Sequence, residues 1–175
     1  VIVEVDMDKD IIKKVVALAK QYNKKLYGVV SNMSIAVERR DFLKHFDCFI
    51  CNQLEAGMLF MEDYADKSPE ELRDILSKRV ILGKIPAMIV TMGGNGAVYA
   101  DVNGEKGICP PQRVRVKDTT GAGDAFCAGV ASGLTYGKTL SEAVEIGSRL
   151  AASVITSSEN VCPRFLPEEF GITLD

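Results

Sequence analysis

Hydrophobic and polar residues follow two periodicities along the chain, one typical of strands and one typical of helices. The run VIVEVDM at residues 1–7 is short and β-branched, which indicates a strand. The next segment has apolar residues at helical spacing, at positions Ile11, Val15, Leu18 and Tyr22. A strand followed by a helix is therefore predicted for residues 1–23.

The same alternation continues as far as residue 92. Further strands are predicted at LYGVVS, FDCFICN and AMIVTM, with a helical stretch around residues 37–45 between the first two. Ser68-Pro69-Glu70-Glu71 offers an N-cap, a proline at the first helical position and an acid at the third, so a helix is predicted at ELRDILSKRVI. This alternation favours an α/β fold with a mostly parallel sheet that helices flank on both faces.

The pattern changes after residue 96. AVYADVNGEKGICP contains two extended runs joined by Asn103-Gly104, which predicts a β-hairpin. VRVKD, at residues 114–118, is predicted to be another strand. Two helices are expected after it, DAFCAGVASGLTYG and one capped by Thr139 with Glu142 three residues later. The length fits one domain with one main core over residues 1–175.

Composition and charge limit the kinds of binding partner and the cellular compartment that we expect for this protein. The net charge of -3 and the scattered lysines give no basic field, so we expect no nucleic-acid partner. No run approaches about 18 apolar residues, so we expect no membrane span and a cytoplasmic protein. The 5 cysteines are widely spread and are expected to be reduced core residues, although Cys48 and Cys51 have the spacing of a redox or zinc pair.

The stretch DTTGAGDAF, residues 118–126, is the clearest candidate for chemistry. It lies between a predicted strand and a predicted helix, where the first helical amides lack internal partners and the helix dipole is positive. Glycine lets the backbone approach a ligand, so Gly121, Ala122 and Gly123 are suited to bind a phosphate. Asp124 is then either a helix cap or a base that takes a proton from a group attacking that phosphate.

This string resembles the C-terminal signature of the ribokinase-like, or PfkB-type, sugar kinases, Asp-Thr-x-Gly-Ala-Gly-Asp, at every fixed position. Two further segments match the family in the same order. Asn52 and Glu55 form an Asn-x-x-Glu motif, which in the family helps to hold magnesium and phosphate; alone, they suit a helix cap and a solvated acid. IVTMGGNGA resembles the family's glycine turn beside the nucleotide phosphates, which implies such contacts for Thr91, Gly93 and Gly96; alone, it suits a plain turn.

The resemblance implies an ATP-dependent kinase that phosphorylates a hydroxyl group of a small sugar or nucleoside. Mg-ATP would lie at the C-terminal ends of the strands, Asp124 would be the general base, and the adjoining amides would stabilise the transferring phosphoryl group. Glu55 would be a ligand of Mg2+. Asp118 and Thr120 would lie near a K+ ion, and Ser148 would lie at the adenine.

The resemblance covers nearly the whole chain but only the C-terminal part of a family member. Family members begin with a further stretch that carries a Gly-Gly motif, most substrate-binding residues and a β-sheet lid, and none of these is found in the sequence. We therefore expect a fragment that is inactive alone, since the lid excludes water and completes the site. VIVEVDM would lie in a sheet with an open edge, which favours association, for example as a homodimer.

Two other nucleotide-binding motifs do not match the sequence, and two alternative functions remain open. Gly133 is one residue too close to Gly137-Lys138-Thr139 for a P-loop, and no G-x-G-x-x-G follows the first strand. A genuinely short module that binds nucleotide without transferring phosphate is an alternative, as is a vitamin kinase acting on a pyridoxine-like alcohol. SNMSIAVERR and ENVCPRF resemble segments of pseudouridine-type and other nucleoside kinases.

Overall fold

The computed structural model describes residues 1–38, 40–158, 161 and 166–172. Within these residues, six strands form one sheet in sequence order. They are β1 (Ile2–Glu4), β2 (Tyr27–Val29), β3 (Cys48–Asn52), β4 (Ala87–Thr91), β5 (Ala97–Asp101) and β6 (Lys106–Cys109). Neighbours from β1 to β4 pair in parallel and β5 pairs antiparallel with β4, so the sheet is mostly parallel, as predicted.

Helices flank this sheet, which confirms the α/β fold class. The described helices are α1 (Lys9–Gln21), α2 (Met33–Val37), α3 (Gln53–Phe60), α4 (Pro69–Gly83), α5 (Ala122–Thr135) and α6 (Leu140–Ile155). Short 3-10 segments lie at Arg40–His45, Gly93–Asn95 and Pro167–Phe170. No helix in the described part of the chain is both long and apolar enough to cross a membrane.

The helix starts that the sequence predicted are present with their capping hydrogen bonds. At α4, Glu71 N donates to Ser68 Oγ at 3.3 Å and Ser68 N donates to Glu71 Oε2 at 2.9 Å. At α6, Glu142 N donates to Thr139 Oγ1 at 3.3 Å and Thr139 N donates to Glu142 Oε2 at 2.8 Å. These reciprocal bonds satisfy amides that the helices leave unpaired, so both predicted starts are confirmed.

The chain divides into two compact units, Val1–Ile108 and Cys109–Asp175. In the first unit, Phe49 belongs to the main apolar cluster, and Ile50, which points to the other face of β3, is also buried. In the second unit, α5 packs on α6. Buried side chains therefore cluster within each unit, where the chain length had suggested one main core.

Helix α1 buries a different face from the stripe that the hydrophobic pattern singled out. Its buried residues are Ile12, Val16 and Ala19. The exposed fractions of Ile11, Leu18 and Tyr22 are 45%, 42% and 62%. Both sets have helical spacing, so periodicity predicts the helix without deciding which of two adjacent stripes meets the core.

Residues 114–118 do not form the predicted strand. Val114 and Val116 are exposed, and Lys117 N donates to Ile155 O, at the end of α6, at 2.8 Å. A strand needs a neighbouring strand to satisfy its backbone groups. The described residues that follow β6 include no strand that would serve.

Two other sequence predictions are refined by the structure. The stretch predicted to be helical around residues 37–45 is the 3-10 segment Arg40–His45, which follows the short helix α2. Cys48, Cys51 and Cys109 are buried and form no disulfide among the described residues, as expected, and Cys127 is half-buried. Cys162, Arg39 of SNMSIAVERR, and all of ENVCPRF except Val161 lie outside the described residues.

Candidate active site

The carboxyl ends of the parallel strands lie along one edge of the sheet in the first unit. Asn52 ends β3 and Thr91 ends β4, and the two residues are register partners. Neighbouring strands are about 4.8 Å apart, so these residues are direct neighbours. Open α/β sheets bind ligands at this edge. The structure therefore brings together two residues that the sequence analysis selected from motifs 39 positions apart.

The Asn-x-x-Glu motif forms the N-terminal capping box of α3. Glu55 N donates to Asn52 Oδ1 at 2.9 Å, and Asn52 N donates to Glu55 Oε2 at 2.7 Å. The alternative role of Asn52 as a helix cap is thus present in the structure. Glu55, in contrast, is not a freely solvated acid, because it is half-buried at the start of α3.

The surroundings of Glu55 affect its charge. Burial raises the pKa of its carboxyl group above the ordinary value of 4.5, and the hydrogen bond from the backbone of Asn52 opposes this rise. A partly desolvated carboxylate gains from a nearby cation. Magnesium is usually held by one or two carboxylates together with substrate phosphates, so the donor set at this strand end fits that ion.

Asp6 is a carboxylate at the same edge that the sequence analysis missed. It follows β1, and its Oδ1 is buried without a hydrogen-bond partner among the described residues. Such an atom costs about 1–3 kcal/mol and calls for an explanation such as a bound ion or water. The available signal was an acid directly after the apolar run VIVEV, just beyond the carboxyl end of its strand.

A glycine turn follows β4. Met92 N donates to Gly96 O at 2.8 Å, and this bond closes the turn before β5 begins. Gly93 and Gly96 have φ angles of 55° and 88°, a backbone region in which other residues are strained. No atom lies within 4 Å of the place where a Cβ of Gly93 would stand. The glycines therefore serve the backbone conformation, and the turn leaves its surface uncovered next to Thr91.

The glycine loop of the second unit precedes α5. Gly121 is the N-cap residue, with φ of 79° and no side-chain cap. Ala122 N donates to Thr119 O at 3.2 Å, so the prediction that this amide is free is wrong. The amides of Gly123 and Asp124 have no hydrogen-bond partner among the described residues. Two donors at a helix N-terminus thus remain available to an anion.

Asp124 lies in the first turn of α5, beside these amides. Its side chain is exposed and makes no hydrogen bond or ion pair with any other residue that the structure describes. A capping acid would accept from a backbone amide of its own helix. The structure therefore does not show the capping role, and the carboxylate is accessible to an incoming group.

Asp118 and Thr120 are joined immediately before this loop. Asp118 Oδ1 accepts from Thr120 N and from Thr120 Oγ1, both at 2.9 Å. These bonds hold the pKa of the Asp118 carboxyl group below its ordinary value. Both residues are exposed and carry side-chain oxygen atoms of the kind that ligate a cation. Their place near a potassium ion stays a prediction.

Ser148 is half-buried on α6. Burial raises the pKa of the Cys109 thiol, and a hydrogen bond with the Ser148 side chain opposes that rise. Ser148 therefore lies near Cys109, whose thiol donates to Pro110 O at 3.7 Å. Its contact with adenine stays a prediction.

Three comparisons with known proteins find the family that these motifs indicate. Residues 2–163 match the profile of the pfkB family carbohydrate kinases. The chain is 34% identical over 163 residues to a guanosine-inosine kinase of Exiguobacterium acetylicum, with 91% of this chain and 52% of that protein covered. It is 27% identical over 115 residues to a ribokinase of Schizosaccharomyces pombe, with 66% and 36% covered.

Solved structures show the same similarity. A probable sugar kinase from Rhizobium etli CFN 42 superposes with a TM-score of 0.76 at 26% identity, covering 94% of this chain and 50% of that one. The chain thus spans about half the length of this structure and of the guanosine-inosine kinase.

Proposed function

Because this chain belongs to the pfkB family of carbohydrate kinases, we propose that it supplies the phosphate-transfer part of an ATP-dependent kinase acting on a hydroxyl group of a nucleoside or sugar. One observation carries this proposal. At the start of α5, two unpaired backbone amides lie beside an exposed carboxylate, that of Asp124, which nothing else in the described chain engages. That pairing suits transfer of a phosphoryl group to an alcohol.

ATP would supply the phosphoryl group, and Mg2+ held by Glu55 would neutralise the charge of its phosphates. Asp124 accepts the proton of the acceptor hydroxyl as that oxygen bonds to the γ-phosphorus and the bond to the bridging oxygen of ADP breaks. The amides of Gly123 and Asp124 donate hydrogen bonds to the oxygens of the transferring group. The positive end of the α5 dipole acts on the same charge.

The edge of the first unit has a supporting role in this proposal. Glu55 would hold magnesium, because its carboxylate is half-buried and fixed by the capping box of α3. Asn52, Thr91, Gly93 and Gly96 would contact the nucleotide phosphates, where the turn after β4 is uncovered. Ser148 would contact the adenine, and Asp118 with Thr120 would lie near potassium.

We propose a nucleoside as the acceptor class. The guanosine-inosine kinase matches 91% of this chain at 34% identity, a longer match than that with the ribokinase. The match leaves out about half of that kinase. The family resemblance implies that this part carries most of the substrate-binding residues, so we expect turnover by this chain alone to be low.

The test compares Asp124→Asn with Asp66→Asn, an exposed acid outside the site, in the full-length protein. ADP formation would be measured with Mg-ATP and guanosine, inosine or ribose, and nucleotide affinity by calorimetry. We expect Asp124→Asn to lower kcat about 10²–10⁴-fold with nucleotide affinity nearly unchanged, because the base acts only in the transition state. Asp66→Asn should match the wild type.

Two outcomes would overturn this assignment. If kcat is the same in Asp124→Asn and the wild type, Asp124 is not the base. If the wild type binds nucleotide but forms no acceptor-dependent ADP with any compound of the panel, the protein is a binding module.

A further inference from the structure

A cavity of about 230 Å³ lies within the first unit, at the amino ends of the parallel strands. Its lining includes the residues that directly precede three neighbouring strands, namely Leu26 before β2, Asp47 before β3 and Pro86 before β4. Asn52 and Thr91 lie five residues after Asp47 and Pro86, which is about 16 Å along the strands. The cavity therefore lies at the edge of the sheet opposite to the candidate active site.

The lining of this cavity is divided by polarity. Apolar side chains, among them those of Val16 and Ala19, line its buried part. The exposed lining residues are Lys20, Asn23 and Lys24. A small compound that carries one charged group would match this division, because its uncharged part can lie on the apolar side chains while the charged group meets the polar ones.

Two ammonium groups of the lining are left without a carboxylate. Lys20 and Lys24 form no ion pair with any residue that the structure describes. The carboxylate of Asp47 is already engaged, since its Oδ1 accepts from Lys25 Nζ at 3.1 Å and its Oδ2 accepts from Leu26 N at 2.8 Å. The cavity therefore has an excess of positive charge.

His45 adds a third basic group to the lining. Lys20 Nζ lies 3.4 Å from His45 Nδ1, and because an ammonium group can only donate, the neutral ring accepts this bond. Burial lowers the pKa of His45 below its ordinary value of 6.5, and the charges of Lys20 and Lys44 lower it further, whereas Asp41 raises it. An anion in the cavity would offset the positive charges and raise this pKa.

The end of α1 is compatible with an anion. Asn23 N donates to Lys20 O at 3.2 Å and Lys24 N donates to Ala19 O at 2.8 Å, so these carbonyl groups of the last turn already have donors. Asn23 turns the chain out of the helix with a φ of 49°. Its side chain lines the cavity and carries an amide group that can donate hydrogen bonds.

Two ammonium groups, an imidazole and a carboxamide around one cavity suit the oxygen atoms of a phosphate group. The volume is below the range of about 300–1,000 Å³ that is usual for cofactor sites, which favours a small ligand. We propose that this cavity binds a small phosphate monoester such as a sugar phosphate, with its phosphate group at Lys20 and Lys24. Binding here would not require kinase activity, so this inference and the proposed function can fail separately.

The test uses the full-length protein with ribose 5-phosphate as the probe. His45 is the only histidine among the 175 residues, and its ring signals in NMR spectra would be identified by their loss in His45→Gln. We expect ribose 5-phosphate to shift these signals until they saturate and to raise the pKa of His45, because the phosphate charge favours the protonated ring. Ribose, and sodium chloride at the same ionic strength, should do neither.

The corresponding variant combines Lys20→Gln with Lys24→Gln. It should weaken the binding of ribose 5-phosphate about tenfold or more, as measured by calorimetry, because it removes two charge-assisted hydrogen bonds. The matched control combines Lys14→Gln with Lys78→Gln, two exposed lysines outside the lining. This control loses the same charge and should stay within twofold of the wild type.

Three outcomes would overturn the proposal. The first is the absence of a saturating shift of the His45 signals, or an equal shift with sodium chloride, which would show screening alone. The second is equal weakening by the two double variants, which would place the bound phosphate elsewhere. The third is equally tight binding of inorganic phosphate, which would show a site for the free anion and not for a monoester.

Discussion

Two acids in the first turns of helices differ at the scale of single residues. Glu55 is half-buried and fixed by a reciprocal bond with Asn52, whereas Asp124 is exposed and makes no hydrogen bond with another described residue. A fixed, partly desolvated carboxylate suits a constant cation ligand. A free carboxylate can turn towards an incoming hydroxyl. The surroundings therefore assign different chemistry to the same functional group.

The raised pKa of Glu55 predicts a pH-dependent contribution to stability. A group whose pKa is higher in the folded state stabilises the fold fully below its ordinary value of 4.5, and this contribution is lost as the pH rises through the folded pKa. Glu55→Gln stays neutral throughout. We therefore expect the stability of the wild type relative to Glu55→Gln to fall as the pH rises above 4.5, as measured by urea unfolding.

The control for Glu55→Gln is Glu70→Gln, which removes an acid from the first turn of α4 and should show no comparable trend. Addition of magnesium and nucleotide at pH 7 should stabilise the wild type more than Glu55→Gln. A rise of relative stability with pH would contradict the burial argument.

At the scale of elements, α5 and α6 approach each other through glycines. A Cβ at Gly129 would stand 2.7 Å from Gly147 Cα and 2.8 Å from Leu150 Cδ1. A Cβ at Gly147 would stand 2.7 Å from Phe126 O. Because backbone atoms set these limits, neither helix can accept a larger residue without moving. This packing holds the helix that carries Asp124.

Gly129→Ala should destabilise the fold by about 1–3 kcal/mol, because the clash outweighs the better helix propensity of alanine, which is about 1 kcal/mol. Gly123→Ala, also in α5, is the control, since no atom lies within 4 Å of its added Cβ. It should be neutral or stabilise by up to about 1 kcal/mol. Urea unfolding followed by circular dichroism checks both, and equal effects would contradict the packing argument.

At the scale of the whole molecule, the predicted chemistry is divided between the two compact units. The first carries Asn52, Glu55 and Thr91 at the strand ends, and the second carries the glycine loop with Asp124. The relatives that match the chain are about twice as long. Turnover by the proposed kinase should therefore depend on polypeptide beyond the matched region.

The corresponding prediction concerns ADP formation with guanosine or inosine. This chain alone should form ADP more slowly than the full-length protein, because polypeptide beyond the matched region excludes water from the site. Equal rates would contradict this dependence.

Local chemistry in the sequence determined the alternation of strands and helices up to β4, apart from α3, together with the capped starts of α4 and α6, the turn at Asn103-Gly104 and the loop before α5. These features depend on bonds between residues a few positions apart, as between Ser68 and Glu71. Their geometry therefore follows from neighbouring residue types.

Only the tertiary structure decided which stripe of α1 is buried, that residues 114–118 form no strand, and that Glu55 is half-buried while Asp6 has an oxygen with no partner among the described residues. Each of these depends on atoms from distant parts of the chain, which determine how much water and how many partners reach a side chain. A local pattern carries no information about that, because burial and pairing are properties of the packed molecule.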